Sequence, residues 1–131
     1  MDQEVYDKGL KLRRQVMGDD FVDRSMAPQD DFNKTLQDMV IEYGWGNSWG
    51  RGGLELKTRS FINLGMLAAL KKEHEFRGHF RGAIRNGATL EELRQVLIQI
   101  AVYCGAPAAV EAYRIARPVL EEERKAGNLK G

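Results

Sequence analysis

A chain of 131 residues is long enough to bury one core without disulfide staples and reads as a single domain. With 20 basic and 19 acidic residues its net charge is +1, so no overall field draws it to nucleic acid or to a membrane surface. Cys104 is the sole cysteine; that excludes an internal disulfide and a dithiol redox centre and predicts a reducing, cytoplasmic setting.

The first residues, Met1 to Tyr6, lack the basic-then-apolar pattern of a secretory signal. No apolar run approaches the roughly 18 residues of a membrane span. Helical periodicity dominates, with neither a strand hairpin nor an internal repeat. The pattern predicts an all-α fold of about six helices with short connections: an N-terminal helix and loop over 1–30, then a helical core over 31–126.

A first charged helix over 2–17 is closed by Gly18, and a loop runs through Met26-Ala27-Pro28. Gln29-Asp30-Asp31 caps a second helix, with Phe32, Leu36, Met39, Val40 and Tyr43 at helical spacing. That helix is predicted to stop in the glycine-rich segment from Gly44 to Gly53. Trp45 and Trp49 within it are too costly to leave exposed, so they serve as core anchors, pocket wall or subunit contact.

The third helix, 55–72, is apolar around most of its circumference, which places it at the centre of a domain or in an oligomer. The fourth, 73–86, ends at Asn86-Gly87. Thr89-Leu90-Glu91-Glu92 is a capping box for the fifth, whose stripe runs from Leu90 through Leu93, Val96 and Ile100 to Cys104. Ile98 and Val102 widen that stripe, as burial against another subunit would require. Pro107 fits the first turn of a last helix that becomes highly charged from Glu121.

The chemistry concentrates on the 73–86 segment. At about 100° per residue, Phe76, Phe80, Ala83 and Ile84 define its buried side. His79 lies on one flank with Glu75 a turn before it, Glu73 lies on the opposite flank, and His74 points away. A carboxylate four residues before an imidazole orients the ring and raises its pKa, which suits a general acid near neutral pH. The same spacing also occurs in plain surface pairs. His74 and His79 diverge and do not share a metal ion, so no metal is predicted. Arg51 and Arg59 are candidate carboxylate clamps, because a guanidinium meets a carboxylate as a bidentate fork; a bridge from Arg59 to Glu55 is the structural alternative. Cys104, at the end of an apolar stripe, reads as packing.

Taken together, Trp49 to Ala116 resembles the carboxymuconolactone decarboxylase family. The stretches that carry the likeness include Ser48-Trp49-Gly50-Arg51, Lys57-Thr58-Arg59-Ser60, Glu73-His74-Glu75, His79-Phe80-Arg81-Gly82-Ala83 and Tyr103-Cys104-Gly105-Ala106-Pro107. The resemblance implies the helical fold of the alkylhydroperoxidase D proteins, assembled as a homo-oligomer, trimer or hexamer. It implies loss of CO₂ from a small anionic lactone, 4-carboxymuconolactone, to give the enol-lactone of 3-oxoadipate in protocatechuate breakdown, without a cofactor. His79 is then the proton donor, oriented by Glu75, with Glu73 and then His74 as rival acids. Arg59 and Arg51 grip the substrate's carboxylate, and Trp49 and Trp45 join the binding set. Dithiol relatives place cysteines where this chain has Lys72 and Glu75, which argues against thiol peroxidase or reductase activity. A ligand-binding oligomer with another substrate is the remaining alternative.

Overall fold

The computed structural model describes all 131 residues and is all-α, built from seven α-helices and one π-helix, with a lone bridge between Thr89 and Lys130. No helix is long and apolar enough to cross a membrane. The chain forms two compact units, Met1–Glu55 and Leu56–Gly131.

In the first unit, α1 (Gln3–Met17) starts at Asp2, whose carboxylate accepts from the amides of Glu4 and Val5. A short helix then follows where the sequence pattern predicts a loop: α2 (Asp19–Met26). Local charge accounts for it. Asp19 and Asp20 sit in its first turn and Arg24 in its last, matching the helix dipole. Arg14 of α1 also reaches forward to Asp19 at 3.2 Å and Asp23 at 2.9 Å, while Val22 is buried. This extra element raises the expected six α-helices to seven.

The second predicted helix stops within the Gly44–Gly53 segment, as expected, but only at Trp49. Helix α3 (Lys34–Met39) runs on into a π-helix, Val40–Trp49. The wider winding carries the chain through Gly44 and Gly46, and the amide of Gly50 donates to the carbonyl of Trp45 at 2.9 Å. It also brings Trp45 and Trp49 into a stack, with ring centroids 4.7 Å apart and planes 19° from parallel. Helix α1 packs along this π-helix.

The second unit holds α4 (Leu56–Ala69), α5 (Glu73–Arg85), α6 (Leu90–Cys104) and α7 (Ala106–Lys125). Leu64, Phe76, Phe80, Ile84, Leu93, Ile100, Ala116 and Val119 form its core. The capping box is present: the Thr89 hydroxyl accepts from the Glu92 amide at 3.1 Å, and Glu92 accepts from the Thr89 amide at 3.0 Å. Glu92 also receives the Lys57 ammonium at 3.0 Å. The Thr89 amide first, and Lys57 second, hold the Glu92 carboxyl below its ordinary pKa. Because the folded value lies below the unfolded one, this stabilisation is complete above the unfolded value and drains away as pH falls through the folded one. Glu92→Gln should therefore flatten the acid limb of a Tm-against-pH curve from about pH 5 downward; an unchanged limb would remove Glu92 from the account.

Helix α4 ends in a Schellman turn: the amide of Lys71 donates to the carbonyl of Ala68 at 3.2 Å and that of Lys72 to Leu67 at 3.0 Å. Lys71 occupies the left-handed position, at φ 60°, where glycine is the usual residue. Lys71→Gly should raise stability by about 1 kcal/mol, seen as an increase in Tm, because the left-handed region costs an L-residue about that much.

Candidate active site

Helices α4 and α5 form an antiparallel hairpin. The side-chain amide of Asn86 ties its open end, donating to the carbonyl of Leu56 at 3.3 Å and the hydroxyl of Ser60 at 2.9 Å. Around α5 the predicted faces hold: Phe76, Phe80, Ala83 and Ile84 are buried, and so are Gly78 and Gly82 on the side towards Glu75. His79 is half-buried, with its Nδ1 shielded from solvent. Arg59 on α4 is also half-buried, and its Nε is shielded. Glu75 is exposed one turn before His79, and His74 is exposed. Glu73 is exposed and lies 3.4 Å from Arg77 in an ion pair along the helix.

A hollow of about 580 Å³ opens where the α4–α5 turn meets the α6–α7 junction. Leu67, Phe76 and Ile115 supply apolar wall, and Lys71, Lys72, Glu73 and Glu111 bring charge to it. Of the residues picked out from the sequence as acids, bases or clamps, only Glu73 lines this hollow; His79 and Arg59 stand elsewhere on the hairpin. Cys104 lines it too and is exposed, which corrects its reading as a packed residue. The last buried position of α6 is Ile100, so the apolar stripe ends one turn before the cysteine.

The first unit holds the other three candidates. Trp45 and Trp49 are 5% and 7% exposed and stack on each other, which fits the anchor role. Arg51 is exposed, and its Nε donates to the carbonyl of Asn47 at 3.0 Å. No three His, Cys, Asp or Glu side chains gather in a way that would hold a metal ion.

Lys71 and Lys72 are the cationic residues of the hollow, and the sequence pattern gave them no role in a site. Their signal was a pair of lysines directly ahead of an acidic helix start, but lysines at a helix junction are usually solvated and carry little information alone.

The helical hairpin therefore presents an imidazole, carboxylates, a guanidinium and ammonium groups suited to acid–base work on an anion. The profile of the Carboxymuconolactone decarboxylase family matches residues 34–118, and the chain belongs to that family. It is 36% identical over 121 residues to the 4-carboxymuconolactone decarboxylase of Acinetobacter baylyi, covering 92% of this chain and 90% of that protein. It is 33% identical over 130 residues to the nitrosuccinic acid decarboxylase of Metarhizium robertsii, covering 99% and 91%.

Proposed function

We propose that this protein is a carboxy-lyase acting on 4-carboxymuconolactone in the cytoplasm. The observation that carries this reading is the near full-length likeness to the Acinetobacter baylyi decarboxylase. In the substrate, the departing carboxylate sits on a ring carbon conjugated through a double bond to the lactone carbonyl. When the C–C bond to that carboxylate breaks, its electron pair flows into a dienolate ending on the carbonyl oxygen, and CO₂ leaves. A proton then adds to the carbon next to the carbonyl and gives the enol-lactone. The substrate carries its own electron sink, so the protein's tasks are to stabilise the developing oxyanion and to deliver one proton.

We assign the proton to His79. Its half-burial supports this, because a placed acid is most effective where bulk water is kept away. Glu73, the rival, faces solvent and is engaged with Arg77 at 3.4 Å. Glu75, in line with His79 on α5, is assigned to orient the ring. Arg59 is assigned to the oxyanion, where one fixed donor is typically worth about 10²–10³ in rate.

Exposed apolar side chains on α4 and α6, among them Ile62, Met66, Val102 and Tyr103, support assembly into a trimer or hexamer. Light scattering on the purified chain tests it, and a monomer at working concentration would refute it.

The full-length likeness to the Metarhizium robertsii protein favours a second reading, decarboxylation of nitrosuccinic acid. The demand on the protein is similar, since a nitro group next to a departing carboxylate accepts the electron pair as a nitronate. Incubation with each compound separates the two. The primary reading expects one equivalent of CO₂ and loss of absorbance with the lactone; CO₂ from nitrosuccinic acid alone would replace it.

A further inference from the structure

Four charged side chains line the hollow between the α4–α5 turn and the α6–α7 junction, and they are not equivalent. The two acids are engaged with neighbours on their own helices: Glu73 with Arg77 at 3.4 Å, and Glu111 with Arg114 at 3.2 Å. The two lysines, Lys71 and Lys72, take part in none of the chain's ion pairs. The two exposed lysines therefore bring ammonium groups without an ion-pair partner to a hollow whose wall is largely apolar.

The backbone adds to this. Lys72 is the N-cap of α5 and Gly105 that of α7, and neither helix start has a side-chain cap. Residues from both first turns line the hollow, Glu73 from α5 and Pro107 and Ala108 from α7. Two positive dipole ends thus add to the two ammonium groups. Lys71 meanwhile holds a left-handed conformation that glycine would adopt at lower energy. A side chain kept at such a position is a pointer to use.

We propose that Lys71 and Lys72 form a carboxylate-binding site in this hollow and hold the carboxylate that the substrate keeps. In its assignment of the ligand this rests on the decarboxylase reading above. Lys72 stands at the N-cap of α5, ahead of Glu75 and His79, which lie one turn apart on that helix. The seven-residue step from Lys72 to His79 is about 10 Å along the helix. A lysine side chain together with a lactone dicarboxylate is long enough to cover that distance. The lysines hold the same charge before and after CO₂ leaves, so they contribute binding and orientation rather than rate acceleration at the reacting carbon.

The test is calorimetric titration of the full-length protein with succinate, and with its neutral diamide succinamide as control. Wild type should bind succinate and not succinamide. Lys72→Met and Lys71→Gly should each weaken succinate binding on the order of tenfold, as loss of a charge-assisted hydrogen bond does. Lys72→Arg should retain it. Lys71→Gly is the informative variant, because it is expected to melt higher while binding more weakly, which separates loss of the grip from loss of the fold. In turnover, the same variants should raise KM more than they lower kcat. Wild-type affinity in both lysine variants, equal binding of succinamide, or no binding of succinate by wild type would each overturn the proposal. Lysine-dependent succinate binding without turnover of the lactone would leave this site standing and remove the assigned reaction instead.

Discussion

Replacing His79 with alanine should lower kcat on 4-carboxymuconolactone by roughly 10²- to 10⁴-fold, the usual contribution of a positioned general acid, while the helical circular dichroism stays unchanged. The fold should survive because His79 lies on the flank of α5 and not among Phe76, Phe80, Ala83 and Ile84, which fill the core. Glu73→Gln should be far milder, since that carboxylate is exposed and already paired with Arg77. Glu75→Gln should fall between the two, because the role proposed for Glu75 is exercised through the His79 ring and the glutamine keeps its shape when the charge is lost. The reverse order, with Glu73→Gln abolishing turnover and His79→Ala sparing it, would transfer the acid role to Glu73 and move the reacting carbon into the hollow that Glu73 lines.

The second large effect concerns stability. Gly9→Ala should destabilise the Met1–Glu55 unit by about 3 kcal/mol, the upper end of ordinary overpacking. A Cβ at Gly9 would lie 2.4 Å from the carbonyl oxygen of Ile41 and 2.6 Å from the amide nitrogen of Gly46. Both are backbone atoms of the π-helix, so no rotamer change relieves the clash. The contact is reciprocal: a Cβ at Gly46 would meet the carbonyl oxygen of Val5 at 2.4 Å. Gly44→Ala is the control, since nothing lies within 4 Å of a Cβ there. It should be neutral or slightly stabilising, by up to about 1 kcal/mol, because alanine is the better helix former. Thermal melts followed by circular dichroism decide it; if both alanines melt alike, α1 does not depend on this close approach.

The second unit was the more legible half of the chain, and the reason is local. Its helices carry their own punctuation: the capping box at Thr89, Gly87 and Gly105 in positive-φ positions, and Pro107 in a first turn. The apolar stripe of α5 matches a single period, so the faces of that helix follow from spacing alone. The first unit was misread where non-local or unusual geometry decides. Helix α2 draws on Arg14 of α1 reaching across to Asp19 and Asp23, in addition to the dipole-matched charges of the 19–26 segment itself. The π-helix passes through Gly44 and Gly46, residues that ordinarily signal a stop, and the lack of a Cβ at Gly46 permits its tight packing against α1.

The candidate site was legible in its residue types and less so in its grouping. The flanks of α5 follow from 100° per residue, and His79 and Glu73 fall on opposite sides as spacing requires. The hollow follows from no pattern of that kind. It forms where a Schellman turn on one pair of helices meets the tight junction of another, and only three-dimensional packing brings Lys71 and Lys72 beside Pro107 and Ala108.

The chain has two tryptophans, and both belong to the Met1–Glu55 unit, stacked within its π-helix. Tryptophan fluorescence, excited selectively, therefore watches that unit alone, while far-ultraviolet ellipticity averages over every helix. A denaturant titration followed by both signals would show whether the halves melt together or in sequence: superimposable curves mean one cooperative molecule, and an early fluorescence midpoint means that the N-terminal half lets go first.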